Sequence, residues 1–395
     1  MQTVVSLLQQ LVAIPSVNPM GRNVSGPEYY ETKIATFLES YLRDLGVPVH
    51  RQPGLPGRDN LIARYDAPNS STTLLLDAHM DTVPVEGMII PPFEPRIENN
   101  RLYGRGACDI KGGMAAMLAA FTRLVRERPA HSANVLLSLT FDEESTAQGA
   151  IYLSRLWTSE LGACPLITSP PDLALVAEPT DLDIVVAHRG ATRWKIKTTG
   201  KAAHSSQPEK GVNAIYKMAH IIFALEQYAQ QLPNLRPPHP LCGSATLSVG
   251  RIEGGISVNT VPDECTIEID RRVIPGENGL DVIPQVEEYL QQNVAVEFEF
   301  LPPWLNGMTL TDNNNGLWAD RLMEKISAVV GPRKKVGVPY GTNASRLCAT
   351  GVPGIVFGPG SIQQAHTIDE WIPLDELEQS SEIYFRFCAE TSNWK

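Results

Sequence analysis

The chain has 395 residues, 43% of them hydrophobic and 19% charged, which is enough apolar content for one large core or two. A formal net charge of -11 repels phosphate backbones and anionic lipid, which excludes nucleic acid and membrane surfaces as general partners. Cys108, Cys164, Cys242, Cys265, Cys348 and Cys388 are scattered with no C-x-x-C pair, so they read as reduced buried thiols rather than a disulfide framework.

The opening MQTVVSLLQQLVAIPSVNP has no basic segment before its apolar residues, unlike a signal peptide. No apolar run approaches the roughly 20 residues that span a bilayer, so a soluble cytoplasmic protein is expected. Residues 27–45 begin with Pro27, place Tyr30, Ile34, Phe37, Leu38, Tyr41, Leu42 and Leu45 on one stripe, and predict a helix. A second helix is predicted to open at Gly112–Gly113 and run through MAAMLAAFTRLVRER. Between the helices lie short apolar runs at 73–79, 134–141, 173–177 and 354–357. Such runs predict an α/β fold with a central, mostly parallel sheet covered by helices on both faces.

From about Ala187 the pattern becomes β-α-β-β-α-β, the split βαβ order of a ferredoxin-like α+β unit. Within it, ECTIEIDRR alternates Cys265, Ile267 and Ile269 with Thr266, Glu268 and Asp270, as a sheet with one covered face requires. The predicted organisation is therefore a catalytic domain in two parts, 1–186 and 302–395, with a domain inserted at 187–301. The Pro-rich stretch 233–240 is expected to be a loop.

Five places carry chemistry. LLLDAHMDTVP (74–84) is a strand that delivers His79 and Asp81 at its C-terminal end, where open α/β sheets bind ligands. GRGACDIKGGMAA (104–116) surrounds Asp109 with glycines but matches neither phosphate-cradling pattern. SLTFDEES (138–145) leads into Asp142, Glu143 and Glu144; an acidic helix start would account for them, and so would one glutamate on a metal beside another holding a water. LALVAEPTD (173–181) ends in Glu178, and GPGSIQQAHTIDEWI (358–372) delivers His366. Together His79, Asp109, Glu144, Glu178 and His366 form the ligand inventory of a carboxylate-bridged dinuclear site. Imidazole and carboxylate donors without cysteine suit borderline divalent ions and argue against a structural zinc. Such a pair of ions polarises a carbonyl and acidifies a water, which a non-coordinating glutamate can deprotonate.

DAHMDTVP, GRGACDIKGG, FDEES, AEPT and AHTIDE, in this order along essentially the whole chain, resemble the M20 metallopeptidase and deacylase family. The resemblance implies two divalent metal ions, zinc or cobalt, one held by His79 and Glu178 and the other by Glu144 and His366, with Asp109 bridging. It implies that Asp81 orients His79 and that Glu143 is general base, then general acid. GKAAHSSQPEKGVNAI (200–215) is similar to the family's lid motif, whose histidine, here His204, stabilises the oxyanion and in dimeric members comes from the neighbouring subunit. SVNTVP and DRRVIPGE imply substrate contacts from Asn259 and Arg272, and YGTNASRL implies a loop with Gly341, Thr342 and Asn343 closing on substrate. A homodimer through the inserted lid domain and a small N-acyl amino acid substrate follow from the same resemblance.

Glu178 leans toward the deacylase branches, and GPGSIQQAH is most similar to the acetylornithine deacetylase branch. That branch usually carries an acid where Asn343 stands, which counts against recognition of a cationic side chain. Arg346 keeps the succinyl-diaminopimelate desuccinylase branch as the alternative, followed by a carboxypeptidase or dipeptidase. A non-catalytic binding protein on this fold would be expected to lose the base or a ligand first.

Overall fold

The computed structural model describes residues 2–158 and 164–391. They form two compact units, one made of Ala187–Thr311 with Gly337–Gly341 and the other of the remaining described residues.

The larger unit is built on an eight-stranded sheet. Its spatial order is Val49–Leu55, Arg58–Tyr65, Asn134–Thr140, Thr73–His79, Leu173–Val176, Gly354–Val356, Ile184–His188 and Lys335–Val338. The sheet is mixed rather than mostly parallel. Its four central strands, 134–140, 73–79, 173–176 and 354–356, run parallel, while the 49–55 and 58–65 strands and the 184–188 strand pair antiparallel outside them. The cause is local: 49–55 and 58–65 are joined by a short hairpin, which can connect only antiparallel strands. The central strands are largely apolar because both faces are covered. Leu74, Leu76, Ala78, Val135, Leu137 and Leu139 enter one core, and the intervening Leu75 and Leu136 are equally buried on the opposite face.

The predicted helix over 27–45 is observed only at Thr32–Asp44. Residues before it are used differently: Val17 N–H donates to Glu28 C=O, Tyr30 N–H donates to Val17 C=O, and Tyr30 is left-handed at φ 67°. Lys111–Glu127 is helical, beginning one residue before the paired glycines.

In the second unit the sheet order is Thr246–Gly254, Glu264–Val273, Gly190–Thr199, Glu299–Phe300, all antiparallel, with helices Ala214–Leu235 and Gly279–Asn293. This is the ferredoxin-like arrangement. Cys265, Ile267 and Ile269 are buried with Trp194, Met218 and Leu225. The unit extends past residue 301 to Thr311, because Leu305–Asn306 pairs with the 190–199 strand and Leu310 N–H donates to His188 C=O. The 233–240 stretch is not wholly loop: the helix runs to Leu235 with Pro233 in its last turn. Among the described residues no helix is long and apolar enough to cross a membrane, and the six cysteines form no disulfide.

Candidate metal centre

Parallel registration brings the chemistry to one edge of the sheet. His79 is paired with Thr140, and Asp77 with Val176, so the residues just beyond these strands (Asp81, Asp142 to Glu144, and Glu178) leave the sheet side by side. The turn after Gly354–Val356 brings His366, itself left-handed at φ 61°. Two groups of donor atoms result, each with its atoms within 4.8 Å of one another: His79, Asp109 and Glu178, and Asp109, Glu144 and His366. Asp109 belongs to both. Its Oδ1 lies 3.2 Å from His79 Nε2 and its Oδ2 lies 3.3 Å from His366 Nε2. His366 Nε2 is also 3.1 Å from Glu144 Oε2.

Burial sets the electrostatics. It pushes Glu143 up to about 8, with the charges of Glu144, Asp109 and Asp81 adding to the rise, and it pushes Glu144 up to about 7. Glu178 is raised well above the ordinary carboxylate range by burial and by the neighbouring Asp109 and Glu143. Burial also opposes ionisation of Asp109, but hydrogen bonds from His366 and His79 hold its carboxyl below the usual range. Hydrogen bonds to Asp109 and Glu144 drive His366 up to about 11. So many crowded carboxyl groups require compensating positive charge, and two imidazoles and three carboxylates are a donor set that divalent cations accept. The residues therefore fit a pair of such ions.

The surrounding residues fix this arrangement. Asp81 has a double task. His79 Nδ1 lies 2.9 Å from the Asp81 carbonyl oxygen and 3.4 Å from its Oδ1, so the imidazole is oriented mainly by the main chain. The Asp81 carboxylate instead accepts the backbone N–H groups of Glu143 (3.1 Å) and Glu144 (3.2 Å). Glu370 does the same for the Asp109 loop, accepting N–H from Gly106, Cys108 and Asp109, each at 2.9 Å, and pairing with Arg105. Gly106 in that loop is left-handed, and a Cβ there would meet Thr82 Cγ2 at 2.7 Å.

The model of peptidase family M20/M25/M40 matches residues 75–390. The chain belongs to this M20 family. Its relatives include the acetylornithine deacetylase of Edwardsiella ictaluri (strain 93-146), 31% identical with 97% of each chain covered. That of Vibrio campbellii (strain ATCC BAA-1116) is 32% identical with 90% of each covered. Among solved structures, a metallo-carboxypeptidase of Sulfolobus solfataricus shares the fold at TM-score 0.78 and 19% identity, covering 99% of this chain and 100% of that one. A Bacillus subtilis protein described as a dinuclear metal binding peptidase from the M20 family matches at TM-score 0.67 and 18% identity, covering 98% and 96%.

The other expected site residues of this M20 chain divide sharply. In the second unit His204 is exposed, and its Nδ1 accepts from the Ser206 backbone N–H at 3.2 Å and lies 2.8 Å from Ser206 Oγ. That leaves Nε2 to carry the proton of the neutral ring. Asn259 is close by in the same unit: Ser205 N–H donates to Asn259 C=O at 3.0 Å. Arg272 is partly exposed, its guanidinium forked onto Asp270 at 2.7 and 3.3 Å, whereas its neighbour Arg271 is buried against Glu277. Gly341 is exposed. Thr342 and Asn343 differ from the expectation of a loop that closes on substrate. Thr342 caps the helix Asn343–Cys348 through Ala344 N–H, and Asn343 is wholly buried, its amide donating to Asp77 Oδ2 at 3.1 Å and Thr140 Oγ1 at 3.0 Å. Burial holds Asp77 up to about 6 despite its bonds from Ser138 and Asn343. Sequence reading missed Glu370, Asn18, Glu31 and Arg58. Only Glu370 left a signal, four residues after His366 in AHTIDE.

Proposed function

We propose that this chain hydrolyses the amide bond of an N-acyl amino acid in the manner of acetylornithine deacetylase, releasing acetate and the free amine. The observation that carries the reading is the pair of three-residue donor groups sharing Asp109, with Glu143 beside the donor Glu144 but outside both groups. In this reading His79 and Glu178 would hold one ion and Glu144 and His366 the other, with Asp109 common to both donor groups; zinc is the expected metal, with cobalt able to replace it. Bound there, the two ions would polarise the scissile carbonyl and acidify the attacking water.

Glu143 takes a proton from that water as its oxygen bonds to the carbonyl carbon, then returns the proton to the leaving nitrogen as the C–N bond breaks. Burial raises the proton affinity of Glu143, which suits it to receive that proton. His204 donates Nε2–H to the developing oxyanion. Asn259 and Arg272 hold the substrate, Arg272 through its carboxylate, and Gly341 lines its approach. The assembly is a cytoplasmic homodimer joined through the inserted unit, which serves as lid.

The test is turnover of the zinc- and cobalt-loaded protein on a panel of N-acetyl and N-succinyl amino acids and dipeptides. Preferred release of acetate from N-acetylornithine supports the reading. Preference for N-succinyl-diaminopimelate assigns the desuccinylase activity instead, and no turnover together with no bound metal sinks the enzyme reading.

A further inference from the structure

The Asp142–Glu144 turn has an unusual backbone arrangement. Three successive main-chain N–H groups are each received by a buried carboxylate: Asp142 N–H by Glu31 Oε1 at 3.2 Å, Glu143 N–H by Asp81 Oδ1 at 3.1 Å, and Glu144 N–H by Asp81 Oδ2 at 3.2 Å. Asp142 itself is left-handed at φ 64°, a conformation a non-glycine residue keeps only when its surroundings hold it. The two receiving carboxylates come from distant parts of the chain, and polar groups tie them together. Arg58 donates Nε to Glu31 Oε2 at 2.8 Å, Nη2 to Glu31 Oε1, and Nη1 to Asp142 Oδ1 at 2.7 Å. The Asn18 amide donates to Asp142 Oδ1 at 3.0 Å and to Asp81 Oδ2 at 2.8 Å. Asp142 Oδ2 is closed off by the Thr146 hydroxyl. Glu31, Asn18, Arg58 and Asp142 are all buried.

Fold stability is a weak reason for such a set. Removing ions from water costs several kcal/mol each, and apolar residues of similar volume often serve a core as well or better. What a forked guanidinium and a doubly donating amide supply is direction, since they define where the turn stands relative to its partners.

We propose that Arg58, with Glu31 and Asn18, forms a positioning frame for the turn that carries Glu143 and Glu144, and so sets the base and one metal donor together. The frame rests on the hydrolytic reading above. It touches no reacting atom; it acts through the backbone of residues 142 to 144.

The test replaces the ion pair by apolar residues, Glu31→Met with Arg58→Met, in the full chain loaded with Co2+. A merely structural pair predicts that a folded double variant works normally. The frame predicts, in the folded variant, a kcat lower by about tenfold or more because the base is misplaced, and a KM little changed. It also predicts an altered visible spectrum of bound Co2+, because Glu144 moves with the turn. A folded double variant with kcat within about twofold of the parent and the parent spectrum overturns the proposal. Should the double variant not fold, Asn18→Ala gives the same readings: reduced kcat and a shifted spectrum support the frame, and parent values of both overturn it. If the parent hydrolyses no N-acyl amino acid, the hydrolytic reading fails by itself, and the Co2+ spectrum of the variants still decides the frame.

Discussion

The donor cluster and the inserted unit's polar residues are fixed in opposite ways. Asp109 and Asp81 are buried and Glu144 half-buried, and all three are held by partners 62 to 261 residues away in sequence. His204 and Arg272 stand open or partly open and are held by Ser206 and Asp270, each two residues away. Long-range partners make the first region rigid and intolerant, because any substitution leaves a buried polar group without its mate. Local partners make the second region replaceable without consequence for folding. The first is a centre that must be prebuilt; the second is a set of side chains placed by their immediate neighbours in the chain.

The sharpest way to break this contrast is Glu143→Ala, expected to lower kcat/KM by about 10⁴-fold with both metals retained. Metal analysis of the purified variant checks it, and loss of one ion would mean that Glu143 and Glu144 have been given each other's roles. Next, His204→Ala should lower kcat by about 10²- to 10³-fold while thermal unfolding matches the parent. An unfolding midpoint that drops along with kcat would show that this histidine is part of the fold rather than an added contact. Asn343→Ala should cost about 1–3 kcal/mol in urea unfolding, since Asp77 loses a donor in the interior. A variant as stable as the parent but weak in substrate binding would restore Asn343 to the substrate side. The smallest effect is expected from Arg272→Ala, a rise of about tenfold in KM with kcat nearly constant, and Arg272→Lys should not recover it because an ammonium lacks the fork.

Much of the centre was legible because its signals are local. An apolar run ending in His79, another ending before Glu178, and glycines around Asp109 each announce themselves within a dozen residues. Their convergence also followed, since parallel strands bring their C-terminal ends to one edge. The frame behind them was not legible. Arg58 meets Asp142 across 84 residues and Asn18 meets Asp142 across 124, and nothing near Arg58 in sequence marks it as more than a strand arginine. Asn343 misled for the opposite reason: its motif suggested a mobile loop, while burial decided that it faces Asp77. The antiparallel flanks of the sheet escaped because apolar runs report burial and not direction. The helix at 27–45 was drawn too long because Tyr30 fits the apolar stripe even though its backbone pairs with Val17.

Glu370 gives the molecule a clock. Its carboxylate receives the N–H groups of the Asp109 loop from 261 to 264 residues downstream. During synthesis the chain emerges from its N-terminus, so Asp109 waits in an unfinished loop until residue 370 has left the ribosome. His366 arrives in the same short interval. The Asp109 loop therefore cannot be completed in a growing chain before the segment carrying Glu370 and His366 has been made.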